Sequence, residues 1–222
     1  MKAIRRYNKS GDPYTCGTKG EYDNGNGSLM RIIPICLFQY EKVKADESDI
    51  AESVTIIHQV SALTHAHLRA EIACGLYFFM IKHILDDKGV RNLRECLQAG
   101  MDEGLEYYMQ NEDCKKELEH YARLFDLEKF KNLNERDIQG TGYVVDALEA
   151  AVWCLLGTDS YRECELKAVN LGDDTDTVAA IAGGLAGLYY GYEAIPKDWT
   201  NAIKKREWIE RLCVEYVPWS KQ

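Results

Sequence analysis

Eight stretches of this chain repeat apolar residues at three- and four-residue spacing, and none of comparable strength alternates apolar with polar residues. A period near 3.6 gathers positions i, i+3, i+4 and i+7 onto one face, so the chain is restricted to packed helices. The stretches are Glu47 to Val60, Thr64 to Leu85, Val90 to Gln110, Cys114 to Phe125, Tyr143 to Leu156, Tyr161 to Leu171, Asp176 to Tyr190 and Asp198 to Tyr216. Boundary residues agree: Thr64 and Ser160 fit N-caps, Gly89 and Gly157 fit helix ends, and Pro196 interrupts the period before the last helix. Residues 7 to 27 are rich in Gly, Asn, Asp, Lys and Tyr without a sustained period, which predicts an irregular segment or long loop. With 222 residues and 46% hydrophobic content, one sizeable core is expected, giving an all-α, single-domain helical bundle over 1–222. Gly183, Gly187 and Gly191 recur every four residues beside Ala182 and Ala186, a smooth stripe suited to close helix packing.

The formal net charge of −9 disfavours nucleic acid and anionic membranes as partners, since both call for a basic surface. The longest apolar run, Ile72 to Ile81, is too short to span a bilayer, and no secretory h-region follows Met1. Eight scattered cysteines form no Cys-x-x-Cys pair and several fall within apolar helical patterns, so a reducing, cytoplasmic setting is expected.

The chemistry concentrates in Gly172-Asp173-Asp174-Thr175-Asp176-Thr177, just ahead of a run of Ala, Gly and aliphatics. Three carboxylates within four residues repel one another unless a positive charge sits among them, and an all-oxygen donor set suits Mg2+ or Mn2+. The plain alternative is helix capping by Asp176 or Thr175.

A second cluster, Asp23-Asn24-Gly25-Asn26-Gly27-Ser28-Leu29-Met30-Arg31, places two glycines around an asparagine before an apolar segment. Consecutive backbone N–H groups there suit a phosphate or pyrophosphate, whereas the alternative is a tight turn with Ser28 as N-cap. Arg31 suits either the ligand or a structural ion pair. His65 stands at a helix mouth where it reaches an anion or simply bonds locally; His67, two residues on, faces elsewhere. Tyr143 follows Gly140-Thr141-Gly142 and either stacks on a base or ribose or covers the core.

In order, Gly25-Asn26-Gly27-Ser28-Leu29-Met30-Arg31, Thr64-His65, Gly142-Tyr143-Val144-Val145-Asp146-Ala147-Leu148-Glu149-Ala150 and Gly172-Asp173-Asp174-Thr175-Asp176-Thr177 resemble the ADP-ribosylglycohydrolase family, which includes the dinitrogenase reductase activating glycohydrolase. The resemblance runs from about Tyr7 to the last helix. It implies an all-α bundle around a dinuclear Mg2+ or Mn2+ site, with Asp174, Asp176 and Thr177 as metal ligands and Asp174 and Asp176 as catalytic carboxylates. It implies further that Gly25, Asn26, Gly27 and Ser28 cradle the ADP-ribose phosphates, that His65 approaches the same ligand, that Tyr143 stacks near its ribose or base, and that Asp23 contacts substrate. The implied activity is metal-dependent hydrolysis of the glycosidic bond joining ADP-ribose to an acceptor on a protein or small molecule.

The chain departs from the family's pattern in carrying no earlier Thr-Asp-Asp-Thr block, the source of the family's other metal ligands. It therefore resembles the family with its N-terminal portion removed, which is consistent with a partner chain supplying that block. Two rival expectations stand beside the hydrolase: a non-catalytic ADP-ribose or nucleotide binding module, and an inactive remnant that folds on its packed helices.

Overall fold

The computed structural model describes residues 2–87 and 89–220; the single domain expected over 1–222 also includes 1, 88, 221 and 222, which lie outside the described residues. Among the described residues there are twelve α-helices: α1 (Lys2–Ser10), α2 (Ile33–Lys44), α3 (Ile50–Ala62), α4 (Leu68–Asp86), α5 (Leu93–Tyr108), α6 (Glu112–Leu118), α7 (Leu127–Phe130), α8 (Val144–Leu156), α9 (Tyr161–Val169), α10 (Thr175–Tyr190), α11 (Lys197–Ala202) and α12 (Arg206–Ser220). The only β pairings there are isolated bridges, so the fold is all-α, a single domain. Among the described residues no helix is long and apolar enough to cross a membrane.

Helix α4 is the axis. Every residue from Ile72 to Ile81 is buried, and a helix apolar on all sides has to be surrounded by others. Helices α2, α3, α5, α8 and α10 pack around it, and α9 backs α8 and α10. Each large side chain so buried contributes about 1.5–3 kcal/mol. The crossing of α4 and α5 depends on Gly100, where a Cβ would fall 2.7 Å from the Met80 Cα. Seven cysteines are buried free thiols, and Cys213 is exposed.

Side-chain caps set six of the twelve helix starts. Ser160 accepts from the Glu163 N–H at the start of α9, Gly157 ends α8, and Asn92 with Glu95 forms a reciprocal capping box on α5. Thr64 does not cap α4. Its hydroxyl is held by Arg31 and the neighbouring His65, and the ring Nδ1 of His67 accepts from the Arg69 N–H instead. The segment expected from Asp198 to Tyr216 is two helices, broken where Lys205 takes a φ of 60°. The packing role of the glycine stripe holds at Gly183, where a Cβ would meet the Glu165 carboxylate, while Gly191 terminates α10 with a φ of 84°. The irregular segment begins later than residue 7, since α1 continues to Ser10.

Candidate active site

Four loops meet at one end of the bundle, each feeding a helix or a helical turn. They are residues 17–28, 64–67, 140–143 and 172–174. Main-chain groups join them: Asn26 N–H donates to Gly142 O at 3.0 Å, Val144 N–H to Asn24 O at 3.1 Å, Asp174 N–H to Gly140 O at 2.8 Å, and Ala66 N–H to Thr18 O at 3.0 Å. The first two form an antiparallel bridge between Gly25 and Tyr143, and the last belongs to a parallel bridge between Thr18 and His65.

Side chains complete the junction. Asn26 is buried and its Nδ2 donates to Asp174 Oδ2 at 2.7 Å, across 148 residues of sequence. The Thr177 hydroxyl donates to Asp174 Oδ1 at 3.0 Å. Asp174 occupies the N-cap position of α10, yet its side chain makes no cap hydrogen bond, so the carboxylate serves the loop junction and not the helix end. Asp176 is exposed on the first turn and, among the described residues, its side chain makes no hydrogen bond or ion pair.

Beside this junction lies a cavity of about 420 Å³, lined by Thr18, Asp23, Gly25, Gly27, Arg31, Thr64 and His65 among others. The His65 ring covers the glycines closely: a Cβ on Gly27 would stand 2.8 Å from its Cε1. Arg31 Nη2 donates to the Thr64 hydroxyl at 2.7 Å, and that oxygen lies 2.8 Å from His65 Nδ1. Burial first, and then the Arg31 guanidinium, push the His65 imidazole below its ordinary pKa, with Asp23 pulling the other way.

The structure thus places Asp23, Gly25, Gly27 and His65 around the cavity, while Asn26, Asp174 and Thr177 are bonded to one another and do not line it. Two residues point differently from the rest. The Ser28 hydroxyl is fully buried and pairs with the Ser61 hydroxyl at 2.9 Å, so only its backbone is placed to meet a ligand. Tyr143 is half-buried, and the Arg69 guanidinium lies over its ring at 5.8 Å. Arg69 is itself pinned by Glu117 at 2.7 Å and Glu21 at 3.0 Å, which ties the loop before Asp23 to α4 and α6. Sequence reasoning gave no part to Thr18 or Arg69, whose roles depend on partners tens of residues away.

As a cation site, Asp174, Asp176 and Thr177 offer the right donor chemistry, all oxygen, and Asp174 keeps lone pairs beyond the two hydrogen bonds it accepts. They fall short in number: among the described residues no three His, Cys, Asp or Glu side chains gather into a metal-binding group.

Known proteins resemble this chain in sequence and in fold. The family model described as ADP-ribosylglycohydrolase matches residues 1–220. An ADP-ribosylarginine hydrolase Tri1 of Pseudomonas putida is 30% identical over 202 residues, covering 90% of this chain and 48% of that protein. The ADP-ribosyl-[dinitrogen reductase] glycohydrolase of Rhodospirillum rubrum is 29% identical over 210 residues, covering 95% of this chain and 60% of its own length. A solved structure titled ADP-ribosylglycohydrolase-related protein complex superposes with a TM-score of 0.75 at 30% identity, covering 99% of this chain and 68% of that one. The chain belongs to the ADP-ribosylglycohydrolase family. It spans about half the length of curated relatives such as the Tri1 hydrolases, 48% and 51% of two of them.

Proposed function

We propose that this site binds ADP-ribose attached to a protein or small molecule and hydrolyses the glycosidic bond to the acceptor. The observation that supports the reading is the Asn26–Asp174 bond, which fastens the glycine loop to the acidic start of α10 and so brings the proposed phosphate cradle and the proposed ion ligands together. The backbone of Gly25 to Ser28 receives the diphosphate, with His65 closing over it. Asp174, Asp176 and Thr177 would hold Mg2+ or Mn2+, with water and sugar oxygens as further ligands; when bound, the ion supplies fixed positive charge for ribose hydroxyls and acidifies water. Asn26 and Thr177 keep the Asp174 carboxylate in one orientation. Asp23, on the cavity wall, faces the positive charge that develops on the sugar as the glycosidic bond lengthens. Water adds to the anomeric carbon, the bond to the acceptor breaks, and the acceptor leaves with a proton. The buried reduced thiols suit a cytoplasmic setting.

A second reading, a binding module without turnover, is favoured by the shortage of carboxylates around Asp174. Thermal unfolding with ADP-ribose, with and without Mn2+, tests the binding common to both. At a hundred times its dissociation constant the ligand adds about 2.7 kcal/mol, a rise of roughly 5–11 °C for a chain of this size. No shift under either condition would refute both readings. Given a shift, Mn2+-dependent release of ADP-ribose from a modified protein selects the hydrolase, and binding without release selects the module.

A further inference from the structure

We infer that Thr64, driven by Arg31, is a positioning residue that holds His65 as the neutral tautomer protonated on Nε2, so that the ring donates a hydrogen bond into the cavity and does not act as a base. An arginine only donates, so at 2.7 Å from Arg31 Nη2 the Thr64 oxygen is an acceptor. The hydroxyl has one proton of its own, and among the described residues its other close partner is His65 Nδ1 at 2.8 Å. The oxygen has two lone pairs, and the arrangement that gives its own proton an acceptor among the described residues has Thr64 donating to a bare Nδ1, with the ring proton on Nε2.

The direction of that proton follows from the backbone. His65 N–H donates to Ser61 O at 2.9 Å, its carbonyl accepts from the Ser61 hydroxyl, and the Thr18 bridge adjoins it, so the main chain is held on both sides. With Nδ1 turned to Thr64, Nε2 faces the glycine loop, 3.2 Å from where a Gly27 side chain would begin. The charged groups facing the ring are Arg31 and Asp23. Adding a second proton at Nδ1 would turn the Thr64 hydroxyl around, away from its only described acceptor and beside a guanidinium. The ligand group met by Nε2–H is thus an acceptor oxygen, of the kind a diphosphate or sugar hydroxyl presents. Tautomer control of this sort changes what the ring offers a ligand without moving any backbone atom.

The effect on ligand rests on the proposed ADP-ribose site, whereas the tautomer is read on the ligand-free chain, so the two fail separately. Long-range 1H–15N correlation spectra of the labelled full chain should show His65 with the proton on Nε2. In Thr64→Val the ring should become a mixture of tautomers and ADP-ribose affinity should fall about tenfold, with Thr64→Ser restoring both. Arg31→Met, at an exposed residue, should move the ring spectrum in the same direction and covers the case in which the valine variant misfolds. A wild-type ring protonated on Nδ1, a spectrum unchanged in Thr64→Val, or a shifted tautomer with unaltered affinity would each overturn the inference. If the wild-type chain fails to bind ADP-ribose, the ligand reading falls and the spectrum alone judges the relay.

Discussion

Asn26→Ala is the substitution that tests the site most directly. The lost interaction is a hydrogen bond to a carboxylate at 2.7 Å from a side chain that is 7% exposed. Bonds to charged groups contribute about 1.5–3 kcal/mol, and the Asp174 carboxylate keeps its Thr177 partner, so the lower part of that range, about 2 kcal/mol, is expected. The main-chain bonds of Asn26, to Gly142 O and from Met30 N–H, survive the change, so the loop persists and the loss is local. For a protein of this length each kcal/mol moves the melting temperature by about 2–4 °C, so Asn26→Ala should melt roughly 4–8 °C lower. Calorimetry on Asn26→Ala, Asp174→Ala and the double variant gives the pair's coupling, expected at about 1.5 kcal/mol. A loss under about 0.5 kcal/mol for Asn26→Ala, or additive single variants, would show that the bond does not fasten the loop to α10, and the central support for the proposed function would go with it.

Two further outcomes follow from the same geometry. Gly27→Ala places a methyl 2.8 Å from His65 Cε1, so the ring must swing aside; titration calorimetry should show ADP-ribose affinity reduced about tenfold or more, and full affinity would contradict the placement of the ring over the loop. Burial raises the carboxyl of Glu149 to about 7 even with Arg123 2.8 Å away, so the folded chain binds that proton more tightly than the unfolded one. Its contribution is then fully present below the unfolded pKa and is lost as pH rises through about 7, weakening the fold by about 1 kcal/mol between about pH 6 and pH 8. In Glu149→Gln the melting temperatures at those two pH values should lie closer together than in wild type, and an unchanged difference would argue against a protonated Glu149.

The helices were legible where one residue pattern governed them. Helices α8 and α10 announce themselves by period, and Ser160 and Gly157 mark real boundaries because their cap bonds are local. Thr64 misled for the opposite reason: it resembles a cap, but Arg31, 33 residues away, competes for its oxygen. The break at Lys205 and the helix α2 carry no strong local signal, since the first has neither Gly nor Pro and the second begins beside Pro34 with apolar residues on several faces. The site itself was visible only as separate fragments. Glycine spacing and clustered aspartates mark the blocks, but the Asn26–Asp174 bond spans 148 residues and depends on how α4, α8 and α10 pack.

Because the loops around the cavity are stitched by amide and carbonyl groups, their mutual register is indifferent to most of the side chains they carry. Outward-facing positions such as Tyr22, fully exposed, are free to be rewritten without loosening the seam. A pocket framed this way can change what it admits at its rim while its floor stays where it is.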